Sequence, residues 1–154
     1  HGFQRVCFVP SHGGNFAPLA EMLDDLRRAV APDCAVEAYT DLVGFMTFWK
    51  SAVATEAPGL EDRVGGHADI AESSEMLCIR PDLVHEDRAE EGHMQAFDHE
   101  LAERIFRDGF RSVTPNGVLG DARGMSVEIG ERCIADAADG IAAVLSANGA
   151  RSTE

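Results

Sequence analysis

The chain has 154 residues, of which 27 are acidic and 13 are basic, and its net charge is −14. This length predicts one domain, residues 1–154, that is large enough to bury a core. So negative a chain is not expected to bind nucleic acid or anionic membranes, because both bind basic surfaces. Hydrophobic residues make up 45% of the sequence, yet no apolar run reaches the ~20 residues of a membrane span.

The first elements form a strand, a turn and a helix. The apolar run over residues 6–9 (Val-Cys-Phe-Val) predicts a buried strand, and His12-Gly13-Gly14-Asn15 follows it as a turn. Asn15 is a good N-cap residue for the helix that comes next. Apolar residues then recur at helical spacing, at Phe16, Leu19, Met22, Leu23, Leu26 and Val30. Since ligands of open α/β sheets bind where such strands end, His12 and its turn are candidate site residues.

The rest of the chain predicts one more strand and four helices. Residues 35–40 alternate weakly and predict a second strand, parallel to the first in a right-handed β-α-β unit. Helices are predicted over 41–55, 67–79, 94–110 and 126–145, followed by a frayed tail over 149–154. Two strands cannot cover their own faces and edges, so we expect further strands from another segment or chain.

Four cysteines, Cys7, Cys34, Cys78 and Cys133, are scattered without a CxxC pair. This pattern is typical of reduced, mostly buried thiols in a cytoplasmic protein. The chain begins with His1, directly before a predicted core strand, which favours a fragment or one half of a processed protein.

Two segments resemble the creatininase-type amidohydrolase family. HGFQRVCFVPSHGGN, residues 1–15, is similar to that family's HGF…HGGN segment, and GHADIAESSEML, residues 66–77, is similar to its HAGxxETSxML segment. GVLGDARGMSVEIG, residues 117–130, is a weaker match to its closing glycine-rich turn and last helix. The resemblance follows family order over nearly the whole chain. It implies a three-layer α/β/α fold with a mostly parallel sheet, here incomplete, because the family's other strands lie upstream of HGF.

The resemblance also implies roles for three side chains. His12 matches the family's metal-binding histidine, His67 matches its catalytic histidine, and Glu72 stands at the glutamate of the ETS segment, which would be a metal ligand. In one continuous helix His67 and Glu72 would not share a face. If His67 precedes the helix, both can point into one cleft, and the helix N-terminus favours the carboxylate. The residues alone also allow a capping histidine and a solvated glutamate.

The turn Gly13-Gly14-Asn15 has a second interpretation, as a substrate-binding turn that holds an anion at a helix N-terminus without a metal. Gly14 departs from creatininases proper, which carry a metal-binding glutamate at that position. The stretch before His67 also lacks the family's tryptophan. Creatinine itself is therefore not the expected substrate. Arg63 has two interpretations, a surface arginine, which is preferred, and a residue that meets an anionic substrate group.

The family's EHGxHLP-type segment, which supplies most of its metal ligands, is not in this sequence. A catalytic zinc site typically takes about three protein ligands and an open position, so His12 and Glu72 alone do not complete one. The other histidines stand in acidic surroundings and are interpreted as surface residues: His85, His93 and His99.

The resemblance predicts a metal-dependent amidohydrolase that hydrolyses a C–N bond in a small cyclic amide or formamide, and that is inactive as this chain alone because the upstream metal ligands are missing. One or two divalent ions (Zn, Mn or Fe) would activate water, and His67 would pass a proton to the leaving nitrogen. Family members often form hexamers, so the expected partner is a second copy or a complementing N-terminal half. The alternatives are a non-catalytic fragment or subunit that needs a partner half, and a small-anion-binding module.

Overall fold

A computed structural model describes residues 2–30, 32 and 34–151, and at 99 and 148–151 it describes the backbone alone. Over these residues the chain is α/β, with five α-helices and four short strands. In chain order they are β1 (Arg5–Phe8), α1 (Phe16–Val30), β2 (Ala35–Ala38), α2 (Leu42–Glu56), β3 (Val64–His67), α3 (Ile70–Ile79), α4 (His99–Asp108), β4 (Leu119–Gly120) and α5 (Val127–Arg151). None of the helices described has the length and apolar character that crossing a membrane requires.

The contacts group the chain into two compact units. The first comprises His1–Phe45 with Ala138–Glu154, and the second comprises Met46–Ala137. The division falls within α2 and within α5. A single domain over 1–154 stays a prediction.

The first unit contains the parallel pair that the sequence predicts. β1 pairs with β2 from Arg5 opposite Ala35 to Phe8 opposite Ala38. Beside this pair the Phe16 ring meets Tyr39 edge-on, with centroids 6.3 Å apart, and lies 5.8 Å from the Phe45 ring. This aromatic cluster forms the buried core of the unit, which the amphipathic pattern of α1 partly predicts.

β1 is not the buried strand that its apolar run predicts. Phe8 is 38% exposed, and Val9, just after the strand, is 51% exposed. In the part of the chain that the structure describes, β1 pairs with β2 and with no other strand. The helix α1 is likewise only partly covered, because Met22 is 54% exposed. A strand with one neighbour keeps one row of backbone amides and carbonyls unpaired, which is the arrangement that invites another strand.

The second unit is a helical core carrying a small antiparallel pair, β3 with β4. Its buried apolar side chains include six from α2, α3 and α5: Ala52, Val53, Ile70, Ala71, Ile129 and Cys133. Helices α3 and α5 approach closely at Gly130, where an added Cβ would overlap the carbonyl oxygen of Ser74. The Ser74 hydroxyl also accepts from the Ser126 amide at 3.1 Å, just before α5. The glycine therefore permits a backbone contact that no other residue would allow.

Two predicted helices begin later than the periodicity predicts, and in both an aspartate explains the start. α3 begins at Ile70 rather than at 67, after Asp69, and α4 begins at His99 rather than at 94, after Asp98. Each aspartate side chain accepts backbone N–H groups of the first turn, which fixes the helix start. At the other end, α5 continues to Arg151, so the predicted frayed tail is wrong for 149–151, and 152–154 lie outside the described residues.

The cysteines are less buried than predicted. All four are free, but only Cys133 is buried, while Cys7 is exposed and Cys34 and Cys78 are intermediate. Burial raises the pKa of Cys133 to about 12, so this thiol stays protonated and unreactive at neutral pH.

Candidate active site

The candidate site in the second unit is built where β3 turns into α3. Gly66 has φ +97° and Ala68 has φ +52°, so the chain reverses within three residues after the strand. A left-handed alanine is unusual and is tolerated only where the surrounding structure holds it. The reversal puts His67 at the end of the strand and lets the helix begin at Ile70.

Asp69 holds this reversal in place. Its side chain is completely buried, and each carboxylate oxygen accepts two backbone amides. One oxygen accepts from Gly65 at 2.8 Å and Gly66 at 2.7 Å, in the strand. The other accepts from Ala71 at 2.9 Å and Glu72 at 3.0 Å, in the first turn of the helix. Burial raises the pKa of Asp69, and the hydrogen bonds from the amides of Gly66, Glu72 and Gly65 partly oppose that rise. Asp69 thereby fixes the strand carrying His67 against the helix carrying Glu72.

The structure brings His67 and Glu72 together. His67 Nδ1 lies 3.7 Å from Glu72 Oε2, and both side chains are partly exposed, at 44% and 33%. The same Glu72 oxygen accepts the Ala68 amide at 2.6 Å, so the carboxylate is held in place by the turn. The prediction that His67 starts a helix is wrong. The alternative, in which His67 precedes the helix and Glu72 lies in its first turn, is the arrangement observed.

The His67 imidazole is also packed against an aromatic ring. Phe110, in the 3₁₀ turn after α4 (Phe110–Ser112), lies with its ring centroid 4.6 Å from that of His67 and the two planes tilted by 47°. This contact restricts the ring plane of His67, while the carboxylate of Glu72 faces its Nδ1 atom. The Nε2 atom is therefore the one that remains for a ligand.

Glu72 borders a cavity of about 380 Å³. Cavities that hold small molecules measure about 300–1,000 Å³, so this one lies at the lower end of that range. Its walls come from α3, from the segment between α3 and α4, and from the residues on either side of β4. The residues that line it are Ala68, Glu72, Ser73, Met76, Leu83, Val84, His85, Arg88, Ala89, Glu90, Val118, Ala122 and Met125.

The other predicted site residues lie in the first unit. Gly13–Asn15 form a 3₁₀ turn, which His12 precedes without a capping hydrogen bond from its side chain. An added Cβ at Gly14 would lie 3.1 Å from His12 Nε2, so Gly14 gives the imidazole room. Asn15 ends the turn instead of capping α1, and its amide donates to the His12 carbonyl at 2.9 Å. The metal role of His12 and the substrate role of Gly13, Gly14 and Asn15 stay predictions.

His12 and Glu72 are donors of a type that suits a divalent ion. Within residues 2–30, 32 and 34–151, however, no group of three or more His, Cys, Asp or Glu side chains is placed so that it could hold a metal ion. Since a catalytic metal typically takes about three protein ligands, these residues do not by themselves fit a complete metal site.

Arg63 is bonded within the protein, which fits neither the preferred surface arginine nor the substrate-binding alternative. Its guanidinium donates to the Arg123 carbonyl at 2.6 Å and lies 3.4 Å from the buried carboxylate of Asp121. Arg123 also binds Asp121, at 2.8 Å, and these arginines lower the pKa of that carboxyl. Arg63 is thus a structural residue that joins β3 to the segment after β4.

Sequence reasoning missed three further residues. His93 is partly buried, and its Nε2 atom has no hydrogen-bond partner among the described residues, whereas the acidic surroundings predict a surface residue. Asp69 could have been found, because an aspartate directly before an apolar helix is a standard N-cap signal. Glu75 accepts a 2.8 Å hydrogen bond from Trp49 Nε1, and burial raises its pKa to about 7. His85 is exposed as predicted, and the side chain of His99 lies outside the description.

Comparison with known proteins finds a solved structure with a similar fold and a family model that matches most of the chain. A candidate creatinine amidohydrolase from Bacteroides fragilis NCTC 9343, known from a crystal structure, has a similar fold with a TM-score of 0.56 and 20% sequence identity. The match covers 93% of this chain and 53% of that one, so the chain spans about half the length of that protein. No curated protein sequence matches significantly. The model of the creatininase family, described as creatinine amidohydrolase, matches residues 1–145. The chain therefore belongs to the creatininase family.

Proposed function

We propose that this chain contributes the proton-transfer residues of an amidohydrolase site that cleaves a C–N amide bond in a small cyclic amide or formamide. The observation that carries the proposal is the His67–Glu72 pair, whose Nδ1 and Oε2 atoms lie 3.7 Å apart and whose glutamate borders a cavity of about 380 Å³. Membership of the creatininase family supports a hydrolase of this kind.

The geometry suggests how the pair would act. Glu72 faces Nδ1 of His67, so it favours the tautomer that carries its proton on Nδ1 and leaves Nε2 as the atom that accepts a proton. In the reaction a water oxygen bonds to the amide carbon and the C–N bond breaks. His67 takes a proton from water through Nε2 and passes it to the leaving nitrogen. General acid–base catalysis of this kind contributes about 10²- to 10⁴-fold.

The family implies one or two divalent ions (Zn, Mn or Fe), which would lower the pKa of a bound water towards about 7. We propose His12 and Glu72 as ligands, with further ligands from outside the described residues. The described residues do not complete a metal site, whereas His67 and Glu72 already form the pair that would transfer the proton.

A second candidate is a subunit or fragment that is inactive until a complementing N-terminal half binds. The exposed residues Phe8 and Val9 at β1 favour it, because an exposed apolar strand edge can pair with a further strand. Self-association, with hexamers as in other family members, is part of the proposal and can be measured by light scattering. We also propose a cytoplasmic location.

The test compares wild type with His67→Gln, Glu72→Gln and His12→Ala, with Glu100→Gln on the exposed face of α4 as the control. Each is loaded with Zn, Mn or Fe, its metal content is measured, and it is assayed on cyclic amides and formamides. We expect His67→Gln to keep its metal and lose at least about 100-fold in rate, and Glu72→Gln and His12→Ala to lose metal.

Wild-type metal content in both His12→Ala and Glu72→Gln would contradict the ligand assignment. Phosphate binding that survives in His12→Ala would favour the anion-binding turn Gly13-Gly14-Asn15. Metal-loaded wild type without hydrolysis would favour the subunit that needs its partner half.

A further inference from the structure

The cavity beside Glu72 has one apolar side that is open to solvent. Met76 is 43% exposed and Leu83 is 55% exposed, and both line the cavity with Val84 and Met125. An apolar ligand that covers exposed apolar side chains in a concave surface is bound favourably, because apolar area is removed from water.

The cavity is also lined by an arginine, Arg88, whose side chain has no partner among the described residues. The tripeptide Glu-Asp-Arg occurs twice, at Glu61–Arg63 and Glu86–Arg88, and each copy forms a 3₁₀ turn that ends in the arginine. Arg63 is bound to the Arg123 carbonyl and lies near Asp121. Arg88, in the same local structure, makes no side-chain hydrogen bond or ion pair with any residue that the structure describes, and it lines the cavity.

The charges around the cavity restrict what Arg88 could bind. Glu72 and Glu90 also line it, so a small bare anion meets more repulsion than attraction there. A ligand that covers the apolar wall would be held by that contact as well, and could still present a carboxylate to the planar guanidinium, which binds carboxylates through two parallel hydrogen bonds.

We infer that the cavity binds a small amide that carries both an apolar side chain and a carboxylate, such as an N-acylated apolar amino acid. The N-formyl compounds of this class are formamides and so belong to the proposed substrates, and N-acetyl compounds carry the same apolar side chain and carboxylate. Its side chain lies on Met76 and Leu83, its carboxylate binds Arg88, and its amide lies towards Glu72. As a statement about substrate class, the inference rests on the proposed amidohydrolase function; as a statement about binding, it can be tested without catalysis.

The test measures binding to the full chain by calorimetry and by ligand-observed NMR. The probes are N-acetyl-leucine, its carboxamide N-acetyl-leucinamide, and acetate. The variants are Arg88→Ala and Arg88→Lys, with Lys50→Ala as a control that removes an exposed cation from α2, and circular dichroism checks their fold.

We expect N-acetyl-leucine to bind wild type and Lys50→Ala equally, and Arg88→Ala about tenfold more weakly. Arg88→Lys should fall between them, because an ammonium keeps the charge but not the paired hydrogen bonds. N-acetyl-leucinamide should bind as weakly as N-acetyl-leucine does to Arg88→Ala, with no dependence on Arg88, and acetate should not bind.

Equal binding of the acid and the carboxamide to wild type would overturn the inference. So would acid binding that is unchanged in Arg88→Ala, or no binding of the acid at all. Binding of the acid through Arg88 without hydrolysis of any N-acyl amino acid would support the binding inference and contradict the proposed hydrolysis. The two proposals can therefore fail separately.

Discussion

Replacing Asp69 tests whether one buried carboxylate builds the candidate site. Asp69→Ala removes four hydrogen bonds, two to strand amides and two to helix amides. The chain offers a matched control in Asp98, an exposed aspartate that caps α4 through one bond of 2.8 Å to the Leu101 amide. Both substitutions remove a helix cap, but only Asp69→Ala also releases a strand.

The expected losses follow from these bonds. Removing an aspartate N-cap costs about 1 kcal/mol of unfolding free energy, which is the value we expect for Asp98→Ala. Asp69→Ala loses the cap and two more bonds to a charged acceptor, worth about 1.5 kcal/mol each. The raised pKa of Asp69 shows that burying its charge costs part of this gain, so we expect a net loss of about 3 kcal/mol.

Urea unfolding of wild type and both variants measures the difference, provided that the slope with urea is unchanged. If Asp69→Ala destabilises the chain no more than Asp98→Ala does, the strand bonds contribute nothing and the role of Asp69 in joining β3 to α3 is refuted. Should Asp69→Ala fail to fold, Asp69→Asn, which keeps one acceptor oxygen, should show an intermediate loss.

Three further predictions follow. The pKa of Glu75 is raised from 4.5 to about 7, so its contribution to stability is present below about pH 4.5 and is lost as pH rises through 7. The fluorescence of Trp49, the one tryptophan, should therefore titrate near 7 in wild type and not in Glu75→Gln. Gly130→Ala should cost about 1–3 kcal/mol in urea unfolding, because its Cβ would overlap a carbonyl oxygen of α3; an unchanged midpoint would contradict the close contact. Phe110→Ala should lower kcat about 2- to 10-fold at constant KM, because His67 loses the ring that orients it; a change in KM alone would show a different role.

The sequence predicted the helices that have strong apolar periodicity. α1 ends at Val30 as predicted, and α2, Leu42–Glu56, lies within one residue of its predicted bounds. The parallel pairing of β1 with β2 was also predictable, because a helix of this length between two neighbouring strands forms a crossover that brings the second strand back parallel to the first. These features depend on local patterns, which a single sequence contains.

The candidate site was less predictable, because it depends on particular side-chain contacts. β3 is rich in glycine and has no strand-like alternation, so the periodicity of α3 extended the predicted helix back over His67. The two Glu-Asp-Arg turns look identical in sequence, yet tertiary contacts bind Arg63 to Arg123 and Asp121 and leave Arg88 at the cavity. The predicted burial of β1 is wrong, because burial of a strand depends on the elements packed beside it, which a local sequence pattern does not specify.

The account depends most on His67 and Glu72 acting as one unit. The most direct measurement is kcat/KM for amide hydrolysis by wild type, His67→Gln, Glu72→Gln and the double variant, each assayed with enough added metal to saturate it. We predict that each single variant loses at least about 100-fold and that the double variant is no slower than the slower single variant. Losses that multiply in the double variant, or a wild-type rate in His67→Gln, would contradict the account.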